Sequence, residues 1–257
     1  MRHRYVFVAG LHRTGTSLLA RMLGAHPDIA TIDAPVPENE GCYLQGGVPH
    51  TARHGIPGHY AIDPAQHHAE HSPYNTLAVA ERMEHDWGRW FDADKPWRLE
   101  KSPVNLTRMR LYQQLFPLAH FVVILWHPEA MAAALTKWSD RSASDLIEYG
   151  LTAYANALED VQHLHHCMVV RYEDLCANPD KHLVALHAFL ALSGQSSSLD
   201  LYDGNAEYRG AQAMTPGQAG KAKPLGYGSN LGISGFHPIV RHPLRNVREL
   251  VLSKLLG

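Results

Sequence analysis

The chain opens on an apolar run, Tyr5-Val6-Phe7-Val8-Ala9, that is β-branched and aromatic and stops at Gly10. That is a strand signal. From Thr16 the spacing becomes helical and predicts a helix over 16–25. It ends before Pro27, because proline disfavours helix in the residue before it. Residues 27–75 are rich in Gly, Pro and His and keep no period, the mark of a long functional loop region. Helical spacing returns over 76–91, with Leu77, Ala80, Met83, Trp87 and Trp90 on one stripe. Trp97–Lys101 reads as short and extended. Ser102 as cap and Pro103 in the first turn then open a helix to about Phe116.

His120 to Trp126 is nearly unbroken in its apolarity, as for a strand buried on both faces of a parallel sheet. Further helices are predicted at 129–138, 144–166, 179–192 and 243–256, with a third strand at 167–172. Between Gly194 and Gly235 the chain is rich in Gly, Ser and Gln and reads as an irregular flap. Strands separated by helices imply right-handed crossovers and a sheet covered on both faces. Ligands then sit beyond the carboxyl ends of the strands.

The turn after the first strand is where chemistry first enters. Gly10 and Gly15 permit backbone angles that aim consecutive N–H groups into one concavity, at the positive end of a helix. Such a cradle suits phosphate or sulfate. The spacing Gly10-x-x-x-x-Gly15 matches the start of a nucleotide P-loop, but the continuation is Gly15-Thr16-Ser17, without the lysine that reaches the terminal phosphates. The loop's one firm cation is Arg13. The fold class expected is therefore α/β, three-layered and P-loop-like, with a central parallel sheet flanked by helices, as a single domain over 1–257.

Composition narrows the partners. Lys and Arg number 23 against 25 Asp and Glu, so no nucleic-acid partner is expected. No run approaches the roughly 18 apolar residues that span a bilayer. The three cysteines make no CxxC pair, and the N-terminus has no signal-peptide pattern; both point to a cytoplasmic setting. The 19 histidines include His67 and His71, four apart, and a cluster at His163, His165 and His166. None has an established metal-ligand spacing, so no metal is expected.

The string Gly10-Leu11-His12-Arg13-Thr14-Gly15-Thr16-Ser17 resembles the 5′-phosphosulfate loop of sulfotransferases that use 3′-phosphoadenosine 5′-phosphosulfate (PAPS). Glu100-Lys101-Ser102-Pro103 is similar to the Lys-Asp-Pro segment of tyrosylprotein sulfotransferases and to the Glu-Lys-Ser-Pro of bacterial relatives. Glu38-Asn39-Glu40-Gly41 and Tyr172-Glu173-Asp174-Leu175 match two further landmarks, and the set stands in the family's order over residues 5–192. The resemblance implies PAPS as donor, adenosine 3′,5′-bisphosphate (PAP) as product and a hydroxylated acceptor, for which the long aperiodic segment 27–75 is the expected wall. It implies catalytic roles for Arg13, Lys101 and Glu40. Donor contacts would come from Arg13, Thr14, Gly15, Thr16, Ser17 and Tyr172, the last against the adenine. For the base, Glu40 is preferred to Glu38, with Asp33, His50, His54 and His59 as alternatives.

One position departs from the family. Where relatives carry an Arg and a Ser that grip the 3′-phosphate, this chain has Trp126 and Ala134, neither able to neutralise a dianion. Thr136, Lys137, Arg141, Arg171, Lys221 and Lys223 are the substitutes at hand, and Arg171 is taken as a donor contact. Two other classes stay open: a nucleotide-dependent phosphotransferase, and a nucleotide-binding protein of this fold without turnover.

Overall fold

Apolar runs become strands and periodic segments become helices in the computed structural model, which describes residues 3–49, 56–193 and 204–256. In chain order the elements are β1 (Arg4–Ala9), α1 (Thr16–Gly24), β2 (Ile29–Thr31), α2 (Leu77–Gly88), β3 (Trp97–Lys101), α3 (Met109–Leu115), β4 (His120–Leu125), α4 (Pro128–Leu135) and α5 (Ala143–Val161). They continue as β5 (Cys167–Arg171), α6 (Tyr172–Ala177), α7 (Pro179–Phe189), α8 (Pro216–Ala222), β6 (Tyr227–Gly228), β7 (Gly232–Ile233), β8 (Ile239–Arg241) and α9 (Arg245–Leu256).

Among the described residues the main sheet has the order β2-β3-β1-β4-β5-β8. The first five strands run parallel, and β8 pairs antiparallel with β5. Alternation along β1 divides the core. Tyr5, Phe7 and Ala9 face one layer with Trp87 of α2, Tyr112 of α3 and Tyr154 of α5. Val6 and Val8 face the other, with Leu19 and Met22 of α1, Leu186 of α7 and Val251 of α9. Burial of every β4 residue follows from this two-sided covering. The expected three-layer α/β architecture is what the chain adopts; the two edge strands, β2 inside the aperiodic 27–75 segment and the antiparallel β8, are three residues each and have no counterpart in the sequence pattern.

Three boundaries differ from the pattern. Pro103–Thr107 is a 3-10 turn and α3 begins only at Met109. The Ser102 hydroxyl does not cap a helix but donates to Glu100, while Asn105 reaches the Val8 carbonyl at 3.0 Å. These bonds hold the segment against the sheet. The long helix α5 stops at Val161 rather than 166, tightening into i→i−3 bonds as the chain turns toward β5. Of the irregular flap, residues 194–203 lie outside the described residues; beyond them, 204–235 hold α8 and the β6–β7 hairpin. Helix α8 begins on a capping box between Thr215 and Gln218.

Candidate active site

The loop joining β1 to α1 bends twice through the left-handed region, at Arg13 (φ 69°) and Gly15 (φ 93°). Alternating hand along a short turn is how backbone N–H groups come to line a concavity. The Thr14 hydroxyl donates to the Leu11 carbonyl at 2.7 Å and pins the turn from below. Gly10 leaves no room for a side chain: a Cβ there would stand 2.7 Å from Thr14 Oγ1 and 2.9 Å from Ile124 Cγ2. Arg13 is exposed and makes no hydrogen bond or ion pair among the described residues.

Lys101 ends β3, the strand beside β1, so its side chain rises next to that loop. Its ammonium donates to the Glu38 carbonyl at 3.1 Å and to Glu40 Oε1 at 3.3 Å. Both side chains are nearly enclosed, 7% exposed for Lys101 and 12% for Glu40. Burial pushes the Glu40 carboxyl up to about 7, outweighing the pull of the Lys101 charge in the opposite direction. Ser17 of α1 donates to Glu38 at 3.4 Å. Ser17, Glu38, Glu40 and Lys101 therefore form one connected group.

Beneath this group lies a support that the sequence reading missed. The buried Glu100 carboxylate accepts the Gly41 N–H at 2.9 Å, the Ser102 hydroxyl, and Asn105 Nδ2 at 2.6 Å. Burial still raises its pKa against those bonds. Gly41 is held a second time, its carbonyl accepting Trp87 Nε1–H at 2.8 Å, and a Cβ on it would meet Glu100 Cγ at 2.7 Å. A carboxylate inside a strand, one position before Lys101, was the available signal. Of the other base candidates, Asp33 is exposed, His59 pairs with exposed Asp140 at 3.2 Å, and His50 and His54 lie outside the described residues.

On the other side of the loop, Tyr172 opens α6 rather than ending the strand. Its ring presses on Gly15, with Cδ2 2.7 Å from where a Cβ would be, and its hydroxyl accepts the Gly204 N–H at 3.0 Å. Trp126 is buried edge-on to Tyr172 and Tyr208, and its indole N–H donates to Asn205. Its backbone is locked to the Tyr154 hydroxyl through both N–H and carbonyl, 3.0 Å each.

Arg171 has a different setting from the donor contact expected of it. Its guanidinium is buried on Asp174, at 2.7 Å, and on the carbonyls of Leu225, Gly226 and Ser234. Nε and Nη2 donate to Asp174, and Nη1 holds the 225–234 segment by its carbonyls. Two carboxylates do the same work. Glu129 accepts the N–H groups of Met214, Asn230 and Leu231 at 2.7, 3.1 and 2.7 Å. Glu173 accepts from His127 N, Asn205 Nδ2 and the Tyr227 hydroxyl. Among the other substitutes for the missing Arg and Ser, Arg141 bonds the Gly58 carbonyl and Lys221 pairs with Glu148.

A cavity of about 740 Å³ opens beside α1, with Ser17, Arg21, Thr31, Glu38, Asn39 and Lys101 in its lining. It thus adjoins the lysine–glutamate pair and draws its wall from the aperiodic segment after α1. Among the described residues no helix is long and apolar enough to cross a membrane.

Residues 5–196 match the sequence model of the sulfotransferase family. In fold, the chain is similar to a sulfotransferase of Alicyclobacillus acidocaldarius, at 20% identity over 84% of this chain and 88% of that one, with a TM-score of 0.50. A Mycobacterium tuberculosis sulfotransferase aligns at 20% identity over 81% and 71%, TM-score 0.47. The sulfotransferase domain of a Synechococcus olefin synthase aligns at 17% over 100% and 95%, TM-score 0.45. Among curated proteins there is no significant match.

Proposed function

This chain belongs to the sulfotransferase family, and from that premise we propose that it moves a sulfuryl group from PAPS to a hydroxyl of a small molecule, lipid or sugar. The acceptor oxygen attacks sulfur in line with the leaving phosphate oxygen. The O–S bond to the acceptor forms as the S–O bond to the phosphate breaks, PAP departs, and the hydroxyl proton passes to Glu40. The observation that carries this reading is the enclosed Lys101–Glu40 pair, 3.3 Å apart, beside the Gly10–Ser17 loop.

Each group has a task suited to its chemistry. The N–H groups from Thr14 to Ser17, with the Arg13 charge, receive the 5′-phosphosulfate. Lys101 uses two of its three donors on Glu38 and Glu40, leaving one for a transferring oxygen. A carboxyl near 7 is half-ionised at neutral pH and able to accept a proton in the transition state. Tyr172 offers the adenine a ring fixed against Gly15. With Arg171, Arg141 and Lys221 engaged elsewhere, Lys137 and Lys223 are the basic groups left for the 3′-phosphate. The cavity beside α1 takes the acceptor. The whole chain acts as one sulfotransferase domain, and its three free thiols suit a reducing compartment such as the cytoplasm.

A second reading, a nucleotide-binding protein without turnover, is favoured by one observation: Trp126 and Ala134 are both buried and uncharged. Calorimetric titration separates the readings from one another and from a phosphotransferase. Wild-type protein should bind PAP without magnesium, and Arg13→Ala should weaken binding by about 1.5–3 kcal/mol, the worth of a charge-assisted bond. Binding of ATP only with magnesium would replace the proposal with a phosphotransferase. PAP binding without sulfated product from PAPS and a panel of hydroxylated acceptors would favour the inactive binder.

A further inference from the structure

At the end of the sheet away from the Gly10–Ser17 loop, three histidines meet. His120 opens β4, His166 immediately precedes β5 and His242 immediately follows β8. The strand register brings them together. Phe121 stands beside Cys167 in the parallel ladder, and Cys167 beside Arg241 in the antiparallel one. One step further the row reads His120, His166, His242. If the side chains stood straight out from three neighbouring strands, the outer two would be roughly 10 Å apart, two strand spacings. Their ring centroids are instead 5.8 Å apart, with His166 at 4.2 Å from His120 and 4.8 Å from His242. The rings converge, and one nitrogen of each lies within 4.8 Å of the others.

Two of the three rings, His120 and His166, carry a nitrogen in a state a metal can use. His120 Nδ1 donates to the Leu118 carbonyl at 3.2 Å, which orients the ring and leaves the Nε2 lone pair free, the usual outer-shell arrangement of a histidine ligand. His166 Nδ1 is buried with no hydrogen-bond partner among the described residues. His242 Nδ1 accepts the Leu244 N–H at 3.1 Å, a bond it exchanges if that nitrogen turns inward. Phe189 and Trp97 pack edge-on against His120 and wall the cluster.

We propose that His120, His166 and His242 form a site for one divalent transition-metal ion of the Zn²⁺ class, which clips the edge strand β8 to the parallel sheet. The ligand chemistry sets the class. The group contains no carboxylate, and the nearby cations are Arg4, over Trp97, and Arg248, bonded to the His242 carbonyl. Hard oxygen-seeking ions such as Mg²⁺ and Ca²⁺ have nothing to bind, whereas imidazole suits Zn²⁺, Ni²⁺, Cu²⁺ and Co²⁺. Zn–N bonds of about 2.0–2.1 Å require the ligand nitrogens to draw in to roughly 3.3 Å, with water completing the tetrahedron. The role is structural. Strand β4 separates the cluster from the catalytic end by about 17 Å. The clipped strand also lies in the part of the chain beyond the family match, which ends at residue 196.

The test uses untagged, full-length protein stripped with a chelator and titrated with Co²⁺, followed by visible absorbance and by displacement with Zn²⁺. One equivalent should bind saturably, and Zn²⁺ should raise the melting temperature. His166→Gln and His242→Gln should each weaken binding more than about 100-fold, beyond the cost of an outer-shell partner, and abolish the melting shift. His163→Gln, an exposed neighbour, should retain both. Circular dichroism checks folding; should His166→Gln, which removes a buried ring nitrogen, fail to fold, His242→Gln carries the test. Absence of a saturable single equivalent, or its survival in His242→Gln, would overturn the site.

Discussion

Arg13 and Gly15 set the shape of the anion cradle through backbone angles that L-residues resist. At Gly15 the φ of 93° and the Tyr172 ring both exclude a side chain. Gly15→Ala should cost about 1–3 kcal/mol in urea unfolding, the range for a strained backbone position, and should weaken PAP binding at least tenfold, because Tyr172 must yield. Glu40 permits two independent checks. As the base it must be ionised, so kcat/KM should rise with pH through about 7. Glu40→Gln should lose that limb and some 10²–10⁴-fold in rate; a limb that persists would move the base elsewhere. The same group acts on stability. Between about 4.5 and 7 the folded chain holds a proton that the unfolded chain has released, so this contribution falls as pH rises through that window and levels off above it. Urea melts at several pH values should show a flatter profile in Glu40→Gln.

The elements near the site divide into those that present groups and those that are held. Strands β1 and β3 are adjacent and parallel, which sets the Gly10–Ser17 loop beside Lys101. The 204–235 segment is held, by Arg171, Glu173 and Glu129 on its polar backbone. Removing Glu129 leaves the buried Met214 N–H and the part-buried N–H groups of Asn230 and Leu231 without their acceptor. Glu129→Ala should cost about 3 kcal/mol or more, and hydrogen exchange should quicken at 214–231 while β1 and β4 keep their protection. The Arg171 assignment illustrates why element-level reading falls short. An arginine at a strand end beside a phosphate-type loop has the right chemistry for a donor contact, and nothing local distinguishes that from a guanidinium bound to carbonyls more than fifty residues later. Ser102 is similar: Ser-Pro carries the signal of a helix start, but a buried glutamate two residues earlier takes its hydroxyl.

At the scale of the molecule, stability rests on one sheet with a core on each face. Phe7 sits among Tyr5, Trp87, Tyr112, Phe116 and Phe121, with ring centroids between 5.0 and 6.0 Å away. Phe7→Ala should cost about 3–5 kcal/mol, read from the denaturation midpoint. The four central strands β1, β3, β4 and β5, the long helices over each face and the Gly10–Ser17 turn were legible because their signals are local. Side-chain period follows directly from strand or helix geometry, and the glycines declare their turn through φ. The ordered landmarks from Arg13 to Tyr172 were legible for the same reason. What the linear chain left open depends on contacts between distant segments. The antiparallel placing of β8 comes from its pairing with β5, because three residues carry too little periodicity to mark a strand. The raised carboxyl of Glu40 comes from enclosure next to Lys101, sixty-one residues away in the chain. The histidine cluster comes from register, which aligns positions 120, 166 and 242 across three strands. Local backbone geometry is written in neighbouring residues; burial, register and ion pairing exist only once the chain has folded back on itself.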